Sequence, residues 1–269
     1  MTAWTNADID FARLDVQRAR ADESLMSLVA GASLVESASD LYTSNLVEYF
    51  KDDPEVAHWL KTQWEPEELQ HGRALRAYIA RVWPSFDWEQ IFRAFLADYG
   101  GMCLVETLRP TPALEMVARC VVETGTATLY EAIASRSQEP VLNDIVMRIR
   151  QDEIRHFKHF YRYFRKYQRG EQLGRLRVAR ALVERVAELR SEDAACALRH
   201  VFIGRYPDTA ADTARVESWI KNISSDAKRG YPFTMAAKML ITPLDLHPWV
   251  KPWLGVPVAM VARMVVWGL

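Results

Sequence analysis

Apolar residues recur along the chain at intervals of three and four positions, which is the repeat of an amphipathic α-helix. One example is the set Leu25, Leu28, Val29 and Ala32, and another is Leu75, Tyr78, Ile79 and Val82. No segment shows several alternating apolar and polar runs closed by Asn-Gly or Asp-Gly turns, as β-hairpins would require. The pattern therefore predicts an all-α protein.

Breaks that contain proline or glycine divide this pattern into helices. Long helices are expected at about residues 22–50, 55–82, 113–136 and 140–168, and shorter ones at about 87–107, 175–200 and 210–228. Asp53-Pro54 and Glu139-Pro140 have the composition of helix starts. Pro66 should kink the second helix, because proline lacks the N–H that continues the hydrogen-bond ladder. No linker is evident, so we expect a bundle domain over residues 1–200 and a helical extension packed on it over 201–269.

The motif Glu-x-x-His occurs three times, and two of its occurrences have matched positions. Each of the two lies after a predicted helix–helix turn, and another glutamate lies before that turn at about the same distance. The distance is about 16 residues for the turn at Asp52-Asp53 and 15 residues for the turn at Gln138. Antiparallel helices rise equally per residue, so such positions face each other. The two sets are Glu36 with Glu68 and His71, and Glu123 with Glu153 and His156. The third occurrence, Glu55 with His58, starts a helix, where the helix dipole explains the carboxylate.

A Glu and a His three residues apart share one helix face and can reach one metal. Two such pairs, with one Glu from each remaining helix, make the dinuclear site of ferritin-like four-helix bundles. Oxygen and imidazole ligands without thiolates favour iron or manganese over structural zinc. Asp40 is the alternative to Glu36 as a ligand. Glu67 and Asp152 are expected to accept the other ring N–H of the histidines.

At these residues the sequence resembles the soluble acyl-carrier-protein desaturases of the ferritin-like diiron superfamily. The resemblance lies in Trp64-Glu-Pro-Glu-Glu-Leu-Gln-His-Gly72, in Asp152-Glu-Ile-Arg-His156 and in Glu123-x-x-Thr126, and it covers about residues 20–165. It implies a diiron site (Fe/Fe, with Mn/Fe as the alternative), O₂ as co-substrate, a ferredoxin-like electron donor and Thr126 as a residue that assists oxygen handling. The implied reaction removes hydrogen from an aliphatic or acyl substrate, by desaturation or hydroxylation. The chain is shorter than the plant-type members, and its Pro66 and the region after residue 200 match nothing in them.

An apolar channel beside the metals would hold an alkyl chain and keep water away. Its candidate lining residues, which would otherwise be plain helix-bundle core, are Leu104, Met116, Leu129, Ile133 and Phe157. Two other functions remain open at this point. One is a ferritin-like metal-handling protein of the ferroxidase or peroxide-scavenging type, and the other is a non-catalytic interaction module with a structural metal site.

The 269 residues carry a net charge of −1, but the charge is unevenly distributed. Between Arg155 and Arg190 eleven Lys or Arg oppose three Glu, so this segment carries +8 and the remainder −9. If this is not simply a solvated basic face, it could dock an acidic carrier protein, a ferredoxin or an anionic membrane. The candidate docking residues are Arg162, Arg165, Lys166, Arg169, Arg175 and Arg177. The aromatic residues here have helical spacing, so we expect no nucleic-acid partner.

Three widely spaced cysteines argue against a disulfide scaffold, and no secretory or membrane-spanning segment is evident. We therefore expect a cytoplasmic protein, and a homodimer by analogy with related bundles. The end of the chain, from His247 to Leu269, carries Trp249, Trp253 and Trp267 among aliphatic residues. We expect it to pack on the bundle. A dimer contact or a peripheral membrane contact are the alternatives.

Overall fold

The computed structural model describes residues 4–188, 193–209, 211–228, 230–247 and 249. Within these ranges every regular element is helical, which confirms the all-α prediction. The part of the predicted C-terminal tail that follows Trp249, including Trp253 and Trp267, lies outside the described residues.

The α-helices of the described ranges agree closely with the apolar periodicity. They are α1 (Val16–Arg20), α2 (Glu23–Ser37), α3 (Ser39–Tyr49), α4 (Pro54–Trp59), α5 (Glu65–Val82), α6 (Trp88–Gly100), α7 (Pro112–Arg136), α8 (Pro140–Glu171), α9 (Arg175–Glu188), α10 (Asp193–Arg205), α11 (Thr213–Ala227) and α12 (Phe233–Leu240). Short 3₁₀ turns lie at Asn6–Asp8, Phe11–Arg13, Val105–Thr107, Pro207–Thr209 and Thr242–Leu244.

Both predicted helix starts have side-chain caps. The Asp53 carboxylate accepts the N–H of Val56 at 3.4 Å, with Pro54 in the first turn of α4. Glu139 accepts the N–H of Leu142 at 2.7 Å, at the start of α8. The buried Glu139 also accepts the hydroxyl of Tyr78 at 3.0 Å. Burial and the neighbouring Glu139 carboxylate raise the pKa of Tyr78 well above its ordinary value.

A change of helix type precedes Pro66. The five residues Leu60–Trp64, which end just before Glu65-Pro66, form a π-helical segment between α4 and α5. In a regular α-helix, a carbonyl of the preceding turn would face Pro66, which has no N–H to donate and whose ring would clash with it. A π turn moves this carbonyl aside, so the chain continues as helix on both sides. The helix expected over residues 55–82 therefore consists of α4, the π segment and α5, and the kink stays a prediction.

Two other helix boundaries differ from the sequence prediction. The helix expected over residues 22–50 divides at Ala38, whose backbone (φ −101°, ψ 10°) is not helical, into α2 and α3. The helix expected over residues 87–107 ends at Gly100, followed by Gly101. Two successive glycines lower helix propensity, which accounts for the earlier end.

The chain forms two compact units. The first unit comprises Met1–Thr107, Arg136–Val146 and Ser191–Ala227, and the second comprises Leu108–Ser135, Met147–Arg190 and Lys228–Leu269. In the first unit α2 packs along α5 and also contacts α10, which packs on α6. The predicted boundary near residue 200 stays a prediction.

The second unit is built around α7 and most of α8. An ion pair between Glu131 and Arg150 joins the two helices. The Glu171 carboxylate, at the end of α8, accepts the N–H of Ala113 at 2.8 Å in the first turn of α7. These contacts tie α7 and α8 together at both ends of the unit. No described helix has the combined length and apolar character needed to cross a membrane.

Candidate metal centre

Three predicted ligands meet in the first unit, and we call them the first triad: Glu36, Glu68 and His71. Glu36 lies in the last turn of α2, and the other two lie one turn apart on α5. The Oε2 atom of Glu36 is 3.5 Å from Nδ1 of His71. All three side chains are buried, with exposed fractions of 5%, 7% and 0%. The first triad therefore consists of two buried carboxylates beside one buried imidazole.

A glycine sets how closely α2 approaches α5 beside the first triad. A Cβ atom at Gly72 would lie 2.4 Å from the Ser37 hydroxyl oxygen and 2.7 Å from the Ser37 backbone nitrogen. These two residues directly follow His71 and Glu36 along their helices. Only glycine permits this approach, because any side chain would push the helices apart.

The N-terminal segment covers the first triad. The ring of Trp4 stacks on the ring of His71, with centroids 6.1 Å apart and an interplanar angle of 15°. Asn6 holds this segment on α5: its amide donates to the carbonyl of Arg73 at 3.4 Å and its Oδ1 accepts from Gln70 at 3.1 Å. The sequence analysis missed Trp4, because the residue belongs to no helical repeat that would signal a contact with α5.

The other three predicted ligands meet in the second unit, and we call them the second triad: Glu123, Glu153 and His156. Glu123 lies on α7 and the other two on α8. Nδ1 of His156 is 3.6 Å from Oε2 of Glu123 and 4.0 Å from Oε2 of Glu153. None of the three is more than 1% exposed. The second triad thus has the same composition and burial as the first.

Thr126 contacts the second triad directly. Its hydroxyl lies 2.7 Å from Oε2 of Glu153 and donates to that carboxylate. The same oxygen is 3.3 Å from the carbonyl of Val122 and 3.2 Å from that of Glu123. The Thr126 hydroxyl therefore faces the second triad and also lies close to the backbone of its own helix.

Glu123 of the second triad is costly to ionise when no cation is bound. Burial, with a smaller effect from the charge of Glu153, raises the pKa of Glu123 to about 8, while His156 opposes the shift. A bound cation would favour the ionised form, because an opposite charge nearby stabilises a carboxylate. Burial and the Glu123 charge also raise the pKa of the Cys120 thiol. Cys120 therefore stays protonated and is a poor metal ligand.

These buried Glu and His side chains could hold a metal ion. Their donor atoms are carboxylate oxygens and imidazole nitrogens, which are the ligands that iron and manganese accept. Other candidates are placed differently. Asp40, Glu55 and His58 are exposed, and Asp40 accepts the N–H of Leu41. The geometry thus favours Glu36 over Asp40 as the partner of His71.

The two residues expected to orient the histidines have different surroundings. Glu67 is half-buried on α5. Asp152 is buried on α8, and its Oδ1 forms an ion pair of 2.7 Å with Arg155. The orienting roles of Glu67 and Asp152 stay predictions.

Four of the five candidate channel residues lie in the second unit. Met116, Ile133 and Phe157 are buried there, and Leu129 is half-buried. Leu104 lies in the first unit and is 48% exposed, which differs from the buried position that a channel lining requires. The six candidate docking residues, Arg162, Arg165, Lys166, Arg169, Arg175 and Arg177, are all exposed in the second unit.

A buried ion pair on α7 was also missed by the sequence analysis. The Nε atom of Arg119 lies 2.8 Å from Oε1 of Glu115, and both side chains are at least 96% buried. Glu115 also accepts the backbone N–H of Arg109 at 2.8 Å. In the sequence the pair resembles an ordinary surface pair at i and i+4, since burial of both members depends on tertiary packing.

Comparison with known proteins gives no relative. No protein-family model matches the sequence, and no curated protein is significantly similar to it. The case for a metal centre therefore depends on the two triads themselves.

Proposed function

We propose that this protein is an O₂-dependent diiron oxidoreductase that removes hydrogen from an aliphatic or acyl substrate. The observation that carries the proposal is the duplicated triad. Each compact unit buries two glutamates and one histidine, with an imidazole nitrogen 3.5–3.6 Å from a carboxylate oxygen of a different helix. Ionisable groups are rarely buried so completely unless they are paired or bind a metal.

In this proposal the two triads together hold one pair of iron ions. The support comes from the sequence, where the ligands are equidistant from the two helix–helix turns, and from the resemblance to the acyl-carrier-protein desaturases. A ferritin-like bundle is part of the same proposal. Six protein ligands with four carboxylates suit two hard cations.

The bound iron pair would supply the electrons that activate O₂ and the oxidising power needed to attack an unactivated carbon. The protein residues have simpler roles. The two triads would fix the ligand atoms in a site that excludes water. Thr126 would hold the direction of the Glu153 carboxylate through its 2.7 Å hydrogen bond. A ferredoxin-like protein would return the electrons that each turnover consumes.

Iron stoichiometry tests the site. The metal-free protein is loaded with Fe(II) without oxygen, desalted and analysed for iron and manganese. We expect two iron ions per chain in the wild type and a loss in Glu68→Ala and Glu153→Ala. The double variant Glu55→Ala/His58→Ala is the matched control, because it removes the exposed third Glu-x-x-His and should retain both ions. Two ions in both ligand variants would refute the site.

Oxygen consumption tests the reaction. The reduced, iron-loaded protein is exposed to O₂ with and without long-chain acyl substrates, free and attached to a carrier protein, and the products are analysed by mass spectrometry. Loss of two hydrogens or gain of one oxygen in the substrate supports the proposal. Fast oxidation of added Fe(II) without substrate oxidation would instead indicate a ferroxidase. Tightly bound metal that does not react with O₂ would indicate a structural site.

A further inference from the structure

Three of the four large apolar side chains that are exposed in the described part of the chain belong to the second unit. They are Leu176, Val183 and Trp249, with exposed fractions of 88%, 69% and 80%. Single exposed apolar residues are common on protein surfaces and need no explanation. Here, however, Leu176 and Val183 both lie on α9, within the +8 segment of the sequence.

Helix α9 is apolar on two sides. Val178, Ala181 and Leu182 face the interior of the unit and are buried. Leu176 and Val183, seven residues or about two turns apart, lie together on the outward side. A helix that only packs on its own unit would carry polar side chains there.

Exposed basic side chains lie at the end of α8 and at the start of α9. Arg165 of α8 and Arg175 of α9 both contact Asp245, at 3.4 Å from its carboxylate and 3.0 Å from its carbonyl oxygen, respectively. Leu176 directly follows Arg175, and Trp249 follows Asp245 by four residues. Arg169 and Arg177 are also exposed. The contacts with Asp245 bring Arg165, Arg175 and the adjacent Leu176 into one neighbourhood. We call these residues, together with the exposed Val183, Arg169, Arg177 and Trp249, the α9 surface.

We propose that the α9 surface binds the anionic surface of a lipid bilayer. Leu176, Val183 and Trp249 would enter the boundary between headgroups and acyl chains, and the arginines would contact the lipid phosphates. An acidic protein would match the charge equally well. An acidic protein partner would not explain why apolar side chains project from α9 into solvent. A bilayer would explain them, because it accepts such side chains without a shaped pocket. The proposal does not depend on the metal centre.

Vesicle flotation tests the proposal on the full-length protein. Vesicles of phosphatidylcholine alone are compared with vesicles that also contain phosphatidylglycerol, at low and high salt. We expect binding only to the anionic vesicles, with weakening as salt rises because added ions screen the charge attraction.

Two double variants separate the apolar and the charged contributions. Leu176→Ser/Val183→Ser and Arg169→Gln/Arg177→Gln change only exposed side chains, so thermal unfolding should be unchanged. Each should weaken partitioning by about tenfold. Leu104→Ser/Arg93→Gln is the matched control, since it alters an exposed apolar and an exposed basic residue of the first unit and should bind as the wild type does.

Wild-type binding by the apolar variant would overturn the proposal. Absence of wild-type binding to anionic vesicles would also overturn it. If the wild-type protein did not bind anionic vesicles but bound poly-glutamate in a salt-dependent manner, the α9 surface would be a site for acidic proteins instead.

Discussion

The hydroxyl of Thr126 donates a hydrogen bond to the carboxylate of Glu153, and in the proposed function this contact orients Glu153 as a metal ligand. Thr126→Val removes the donor and retains the side-chain volume. We expect Fe(II) affinity to fall about tenfold, because partners that orient a ligand typically contribute this much to metal binding. Competition with a fluorescent chelator measures the change. Thr126→Ser retains the hydroxyl and should bind Fe(II) as the wild type does. An unchanged affinity in Thr126→Val would mean that the hydrogen bond to Glu153 does not contribute to metal binding.

The raised pKa of Glu123 predicts how the stability of the metal-free protein depends on pH. The folded state holds this proton up to about pH 8, while the unfolded chain releases it near the ordinary pKa of a glutamate, 4.5. The contribution of Glu123 to stability is therefore fully present below pH 4.5 and is lost as pH rises through about 8. Thermal unfolding of metal-free Glu123→Gln should depend less on pH between these values. Exposed Glu55→Gln is the control and should follow the wild type.

At the residue scale the sequence could predict which Glu and His side chains are buried together, but not the residues that pack over them. The six candidate ligands follow from their spacing about two turns, and the structure buries all of them. Trp4 belongs to no repeat, so its stacking on His71 depends on where the N-terminal segment lies. The burial of Glu115 and Arg119 likewise depends on packing around α7, which a single sequence does not encode locally.

At the element scale the contact of Gly72 with Ser37 predicts the effect of one added methyl group. Gly72→Ala places a Cβ atom 2.4 Å from the Ser37 hydroxyl oxygen and 2.7 Å from the Ser37 backbone, so α2 must move away from α5. We expect a destabilisation of about 1–3 kcal/mol, typical of overpacking, and weaker metal binding by the first triad. Chemical denaturation and chelator competition measure the two effects.

The matched control is Gly170→Ala, near the end of α8. A Cβ atom there would have no neighbour within 4 Å. Alanine favours helix over glycine by about 0.5–1 kcal/mol, so this variant should be slightly more stable than the wild type. Equal stability of the two variants would mean that α2 and α5 adapt without loss.

Helix positions were predictable because apolar periodicity and caps such as Asp53 and Glu139 are local signals. The division between α2 and α3 was not, since Ala38 is neither proline nor glycine and favours helix. Pro66 lacks the N–H that continues the helical hydrogen-bond pattern, so the sequence indicates a local change in the helix. It does not indicate whether that change is a kink or a π segment. Packing decides between such outcomes, and it is invisible in the local sequence.

At the scale of the whole molecule, net charge was a poor guide. A value of −1 conceals a +8 segment, and eight of its Lys and Arg side chains are exposed on the described parts of α8 and α9. Composition could not show that Leu176 and Val183 project outward, because they have the same periodicity as core residues. Partner surfaces are therefore found by combining charge in the sequence with exposure in the structure.

Metal binding should stabilise the two units together if the triads form one centre. A ligand that binds only the folded state contributes about 2.7 kcal/mol at a concentration of 100 times its dissociation constant. Hydrogen–deuterium exchange with and without Fe(II) locates this stabilisation. In the wild type we expect slower exchange around both triads. Glu68→Ala, in the first unit, should abolish the protection around Glu153 as well, and Glu153→Ala should abolish it around Glu68. Protection lost only in the altered unit would mean two independent metal sites. Each would then lack the pair of iron ions that the proposed two-electron chemistry requires.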